Sequence, residues 1–164
     1  MDAAKLFAEH HESLFRFLSR MSGDPDAAAD AAQEAFVKLI TKPPEPGQTK
    51  GWLFRVGINA LRLSARTRSR RLRLMDASPD RVPVGDGPDR PDRALERNEA
   101  RRKVRGALDE LPERDRTILL MREEGFTHRE IAEAVGTTTG SVGTMIARAM
   151  DRLAKKLDLD EEDR

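Results

Sequence analysis

Cysteine is absent from the 164 residues, which excludes a disulfide framework, a thiol nucleophile and thiolate metal ligation. Tyrosine is absent too, and one tryptophan with six phenylalanines leaves aromatics at 4%. With 36% of residues charged, that poverty suits solvated helical bundles better than a strand-rich fold. No apolar run approaches the roughly 20 residues that a bilayer span needs, so no membrane insertion is expected. The opening stretch from Met1 to Leu6 lacks the basic and apolar regions of a signal peptide. A soluble cytoplasmic protein is the expectation. His10, His11 and His128 stand in no metal-ligand spacing, and neither a phosphate-cradling glycine loop nor a nucleophile elbow is present. Neither an enzyme nor a cofactor is expected.

What is present is charge, and it is segregated. The formal net charge is only +1. Residues 50–74 nevertheless carry eight Lys/Arg and no acid, while residues 75–99 carry four against seven acids. Residues 1–42 hold five bases and seven acids, and the tail 158–164 has one base against five acids. A +8 block in a near-neutral chain marks a local polyanion-binding surface.

Apolar spacing predicts helices and little else. Leu6, Phe7, His10, Leu14, Phe15, Phe17, Leu18 and Met21 recur at threes and fours, predicting a helix from about Ala3 to Met21. Asp24 and Pro25 then read as the N-cap and first residue of a second helix, which runs to about Thr41. Ala35, Phe36, Leu39 and Ile40 are its expected core; Asp30, Gln33, Glu34, Val37 and Lys38 face outward. The prolines of Lys42 to Lys50 forbid helix. A third helix follows from about Gly51 to Leu74, with Trp52, Leu53, Val56, Leu61 and Leu63 as apolar positions under a crowd of arginines. Residues 75–92, with four prolines and no periodicity, read as a flexible linker. A weakly apolar helix is expected from Arg93 to Leu111, on Leu95, Val104, Leu108 and Leu111. Pro112 opens the next helix, and Gly125 ends it.

The last third carries the most specific pattern. Thr127 to Val135 and Thr138 to about Leu157 are two helices about a turn at Gly136, where a positive φ suits glycine alone. Ala132 is small at the expected crossing, and Val142 and Ile146 would seat the second helix on the first. This is the pattern of a nucleic-acid-binding helix-turn-helix; an ordinary αα-hairpin is the alternative. The fold class is therefore all-α: two small helical domains joined by a flexible linker, the C-terminal one a helix-turn-helix.

Two stretches converge on one family. Asp30-Ala-Ala-Gln-Glu-Ala-Phe36 and Gly51-Trp-Leu-Phe-Arg-Val-Gly-Ile-Asn59 resemble the N-terminal domain of bacterial extracytoplasmic-function sigma factors. Leu111 to Met121 with the helix-turn-helix through Leu153 is similar to their C-terminal domain. The resemblance implies a region 2-like domain at residues 1–74, a linker at 75–92, a region 4-like domain at 93–157 and an acidic tail at 158–164. It implies core RNA polymerase and promoter DNA as partners, with an anti-sigma factor as a further one. Asp30, Gln33, Glu34, Phe36 and Val37 would dock on the polymerase clamp. Lys50, Trp52, Arg55, Asn59, Arg62 and Arg66 would hold the −10 element, Asn59 receiving an unstacked base. Thr138, Thr139, Ser141, Thr144 and Arg148 would contact the −35 element. Gly143 and Met145 depart from the family, which usually places basic residues there. Two other functions stay open: a stand-alone helix-turn-helix regulator, and a sigma-like decoy that binds an anti-sigma factor.

Overall fold

The computed structural model describes residues 2–75 and 91–162, with side chains at 2–74 and 96–158. Among them the only regular secondary structure is α-helix, in seven segments. The chain divides into two compact units, Met1–Val84 and Gly85–Arg164. Most of the expected linker, residues 76–90, lies outside the described residues.

The first unit packs α1 (Ala3–Ser22), α2 (Pro25–Thr41) and α3 (Thr49–Met75) against one another. Gly23, at φ 64°, ends α1, and Asp24 caps α2 by accepting from the backbone N–H groups of Asp26 and Ala27. Pro25 follows at the first turn, as the sequence predicts. Leu14, Phe17 and Leu18 from α1 meet Leu53, Phe54 and Ile58 from α3, all at 1% exposure or less. Each such side chain contributes roughly 1.5–3 kcal/mol on burial. Ala28, Ala31, Ala32 and Ala35 give α2 a smooth buried face, so its backbone comes close to its neighbours. Gly57 does the same for α3, since a methyl group there would lie 3.1 Å from Leu18 Cδ1 and 3.3 Å from Leu14 Cδ1.

Ile40, expected in the core, is 61% exposed, and the apolar positions Leu63 and Phe7 are 62% and 47% exposed. Leu63 lies on the outer part of α3, while Phe7 packs its ring against Phe36 of α2 and leaves part of it in solvent. From Leu63 onward, every described side chain of α3 except the half-buried Leu72 is exposed.

The second unit comprises α4 (Pro91–Glu110), α5 (Glu113–Glu123), α6 (His128–Val135) and α7 (Thr139–Glu162). Helix α7 packs on each of the other three. Leu111, Ile118, Leu120, Met121, Phe126, Ile131, Val142, Ile146 and Ala149 are its buried centre. Val104, expected on an apolar face of α4, is exposed, and Leu95 lies outside the described side chains. Two ion pairs fasten α7: Arg152 to the buried Asp115 of α5, and Lys156 Nζ to Glu110 Oε2 of α4 at 2.6 Å. Helix α7 also runs past the expected end at Leu157, to Glu162. No proline or glycine follows Gly143 to stop it, so the acidic segment continues the helix.

Candidate nucleic-acid interface

The basic block of α3 resolves into a stripe. Trp52, Arg55, Asn59, Arg62 and Arg66 follow one another at spacings of three and four, and therefore share one face of a helix with 3.6 residues per turn. Arg55, Asn59 and Arg66 are exposed; Trp52 and Arg62 are half-buried. Arg70 and Arg73 prolong the same stripe beyond the residues singled out from the sequence. The spacing that would have found them was legible. Lys50 stands two residues before Trp52, off the stripe, and is half-buried. Arg55, Arg66, Arg70 and Arg73 have no acidic partner among the described residues.

Arg68 belongs to the block but not to the stripe. Its Nη1 lies 2.5 Å from Asp24 Oδ2, on the cap of α2. The Ala27 backbone N–H donated to Asp24 holds its carboxyl below the usual range, against the opposing effect of burial, and the Arg68 guanidinium adds to the lowering. The eight cations therefore do not form a single surface.

On α2, Asp30, Gln33 and Val37 are exposed, Val37 at 54%. Glu34 is half-buried and accepts from Lys38 Nζ at 2.6 Å. Phe36 is 7% exposed, its ring 4.9 Å from Phe7 and 6.1 Å from His11. Phe36 thus supports this face from beneath, and what the face presents is an acid, an amide and an aliphatic. Phe7, His11 and Ile40 adjoin it on α1 and α2; the sequence pattern marked Phe7 as an apolar position and Ile40 as core, without bringing either to this face. His11 stacks on Phe7 at 4.3 Å, an arrangement helical spacing alone could not pair with α2.

In the second unit, α6 opens with a capping box. Thr127 Oγ1 accepts from the Glu130 backbone N–H, and the Glu130 carboxylate accepts from the Thr127 N–H at 2.9 Å. Gly136 ends α6 at φ 70° and donates to the Ala132 carbonyl. Val142, Ile146 and Ala149 are buried on one side of α7. Ser141, Thr144 and Arg148 share the other, with Thr144 and Arg148 exposed and Ser141 half-buried. Thr138 and Thr139 are exposed at the start of the helix, and Thr138 Oγ1 lies 2.7 Å from Ser141 Oγ. Between Thr138 and Arg148 the only charged residue is Arg148 itself. Gly143 is exposed, and a methyl group there would meet only His128 Cε1, at 3.7 Å. His128 at the start of α6 thus borders the outer face of α7, which the sequence did not reveal.

Both units match one family. The sigma-70 region 2 family matches residues 6–71, and the sigma-70 region 4 family matches residues 101–153. The chain belongs to the sigma-70 family. Within it the resemblance is to the extracytoplasmic-function group. This sigma factor is 29% identical over 153 residues to the ECF RNA polymerase sigma factor SigE of Mycolicibacterium smegmatis, which covers 91% of this chain and 59% of that protein. It is also 29% identical over 165 residues to the RNA polymerase sigma-H factor of Pseudomonas aeruginosa, covering 93% and 84%. The fold is shared with the sigma factor RpoE of Bartonella quintana, solved with the anti-sigma factor NepR. That likeness has a TM-score of 0.78 at 22% identity and covers 97% of this chain and 98% of the other. Among the described residues, no group of three or more His, Asp or Glu is placed to hold a metal ion, and no helix is long and apolar enough to cross a membrane.

Proposed function

We propose that this sigma factor binds core RNA polymerase and directs it to promoters through two DNA contacts, one in each unit. The observation that carries the reading is the stripe from Trp52 to Arg73, on the same three-helix unit as the polar, partly apolar face of α2. Cations at helical spacing track a phosphate backbone, and an amide among them can both donate to and accept from a base edge. Asn59 is that amide. Unstacking costs a few kcal/mol per base, and capturing an extruded base offsets part of it. Asp30, Gln33 and Val37, with Glu34 at the rim and Phe36 as support, form the polymerase contact, an arrangement suited to a protein interface. Residues 1–74 and 93–157 are the two working domains, and 75–92 joins them. The start of α7 enters the major groove of the start-distal element, where its threonines and small residues suit thymine methyl contacts better than phosphate attraction. An anti-sigma factor is a further expected partner, since a protein of this fold was solved with one.

The uncharged start of α7 is the one observation that favours the decoy instead. A single experiment separates the readings. Purified protein is added to core polymerase on genomic DNA, and start sites are mapped. Defined starts that vanish with Asn59→Ala, or with charge reversal at Arg62 and Arg66, support the sigma reading. Polymerase binding without initiation would favour the decoy, and DNA binding without polymerase binding the stand-alone regulator.

A further inference from the structure

Leu63 sits within the cationic stripe and is 62% exposed. Asn59 precedes it by one helical turn, Arg66 and Thr67 follow by one, and Arg70 by two. Thr67 donates its hydroxyl to the Leu63 carbonyl at 3.1 Å, so its proton is committed to the backbone. A single exposed leucine on a protein surface is ordinary and calls for no explanation. The surroundings of this one are not ordinary. Arg55, Arg66, Arg70 and Arg73 have no acidic partner among the described residues, so this face of α3 draws a polyanion onto itself. The large apolar group then lies in the contact zone.

A paired duplex buries its base faces in the stack and leaves the thymine methyl as the one apolar group in its major groove. An unpaired strand exposes the base faces as well, and so offers far more apolar surface. We infer that Leu63 is a specificity-determining contact that packs against the face or methyl of an unstacked base in single-stranded DNA, one helical turn from Asn59. The two side chains divide the work. Asn59 reads a base by its polar edge, and Leu63 covers the neighbouring apolar surface that melting exposes to water. Thymine, with its methyl group, is the base this favours. The inference rests on the start-proximal DNA contact proposed above for α3.

The test uses full-length protein bound to core polymerase, with forked DNA taken from a mapped start site and unpaired across the start-proximal element. Leu63→Ala weakens fork binding roughly 5- to 50-fold, the effect of removing most of a leucine side chain from an apolar contact. Its salt slope stays that of the parent protein, because no phosphate contact is removed. Arg66→Ala instead flattens the slope by about 0.7, the single-strand value for one phosphate. Replacing the unpaired bases one at a time by abasic residues finds one position where Leu63→Ala costs nothing further, and Leu63→Met restores most of the affinity. The side chain is exposed, so the alanine variant keeps its thermal midpoint. Leu63→Ala binding within twofold of the parent, while Arg66→Ala binds weakly, would overturn this inference and leave the sigma reading standing. Weakened polymerase binding by Leu63→Ala would overturn it as well, by making Leu63 a protein contact. Unchanged binding in both variants would remove the α3 contact itself.

Discussion

Single residues on α3 and α7 show how the same amino acid answers to different surroundings. Gly57 and Gly143 both sit inside helices, where glycine costs about 1 kcal/mol relative to alanine. At Gly143 nothing in the packing forbids a side chain, so its absence bears on the outer face. At Gly57 the neighbours are Leu14 and Leu18, both fully buried, whose terminal methyl groups would have to shift by a few tenths of an ångström in a packed core. Overpacking there costs about 1–3 kcal/mol and outweighs the propensity gain. Gly57→Ala is expected to destabilise the first unit by about 1 kcal/mol, measured by urea unfolding. A stabilised variant would show that α1 and α3 can separate at little cost.

At the level of elements, the cap of α2 and the exposed run of α3 depend on one carboxylate. Asp24 accepts from Asp26 and Ala27 and faces Arg68, and its pKa is lowered as a result. A depressed carboxylate contributes stability that is present above its unfolded pKa, about 3.9, and lost as pH falls through the lower folded value. Asparagine caps a helix about as well as aspartate but carries no charge. Asp24→Asn should therefore retain most of the stability at neutral pH and show a shallower loss of stability below about pH 4. Asp24→Ala also loses the cap, costing about 0.5–2 kcal/mol at neutral pH. Equal acid limbs for the parent and the asparagine variant would mean that the Arg68 pair and the charged cap contribute nothing to folding.

Across the whole molecule, the two proposed DNA contacts differ in charge. The outer face at the start of α7 has one cation, and the acidic segment as far as Glu162 continues the other end of the same helix. From Thr144 to Asp158 a rise of 1.5 Å per residue gives about 20 Å, more than two screening lengths at physiological salt. At that separation the tail is screened from the first turns of α7 and is not expected to mask them. Under the proposed function, the few cations there are expected to make the second unit a weak binder that relies on tethering through polymerase for effective concentration. Free full-length protein is expected to bind start-distal duplex weaker than about micromolar at physiological salt. Truncation after Asp158 should change that by less than twofold. Nanomolar binding would defeat the tethering idea, and a marked gain on truncation would defeat the spacing argument.

The residues that carry backbone geometry were legible from the sequence. Asp24 and Pro25 begin α2, Gly136 turns between α6 and α7, and Val142 and Ile146 seat α7, because caps and positive-φ turns are local chemistry within a few residues. The stripe on α3 was equally readable, since its spacing is a property of one helix. Periodicity says which residues share a face, but not whether anything packs against that face. Only the tertiary structure decided that Leu63, Ile40 and Phe7 stand exposed, that Phe36 is covered by Phe7 and His11, and that His128 borders Gly143. It alone also drew Arg68 out of the basic block, because the partner, Asp24, is 44 residues away in the chain and meets it only once the three helices are packed.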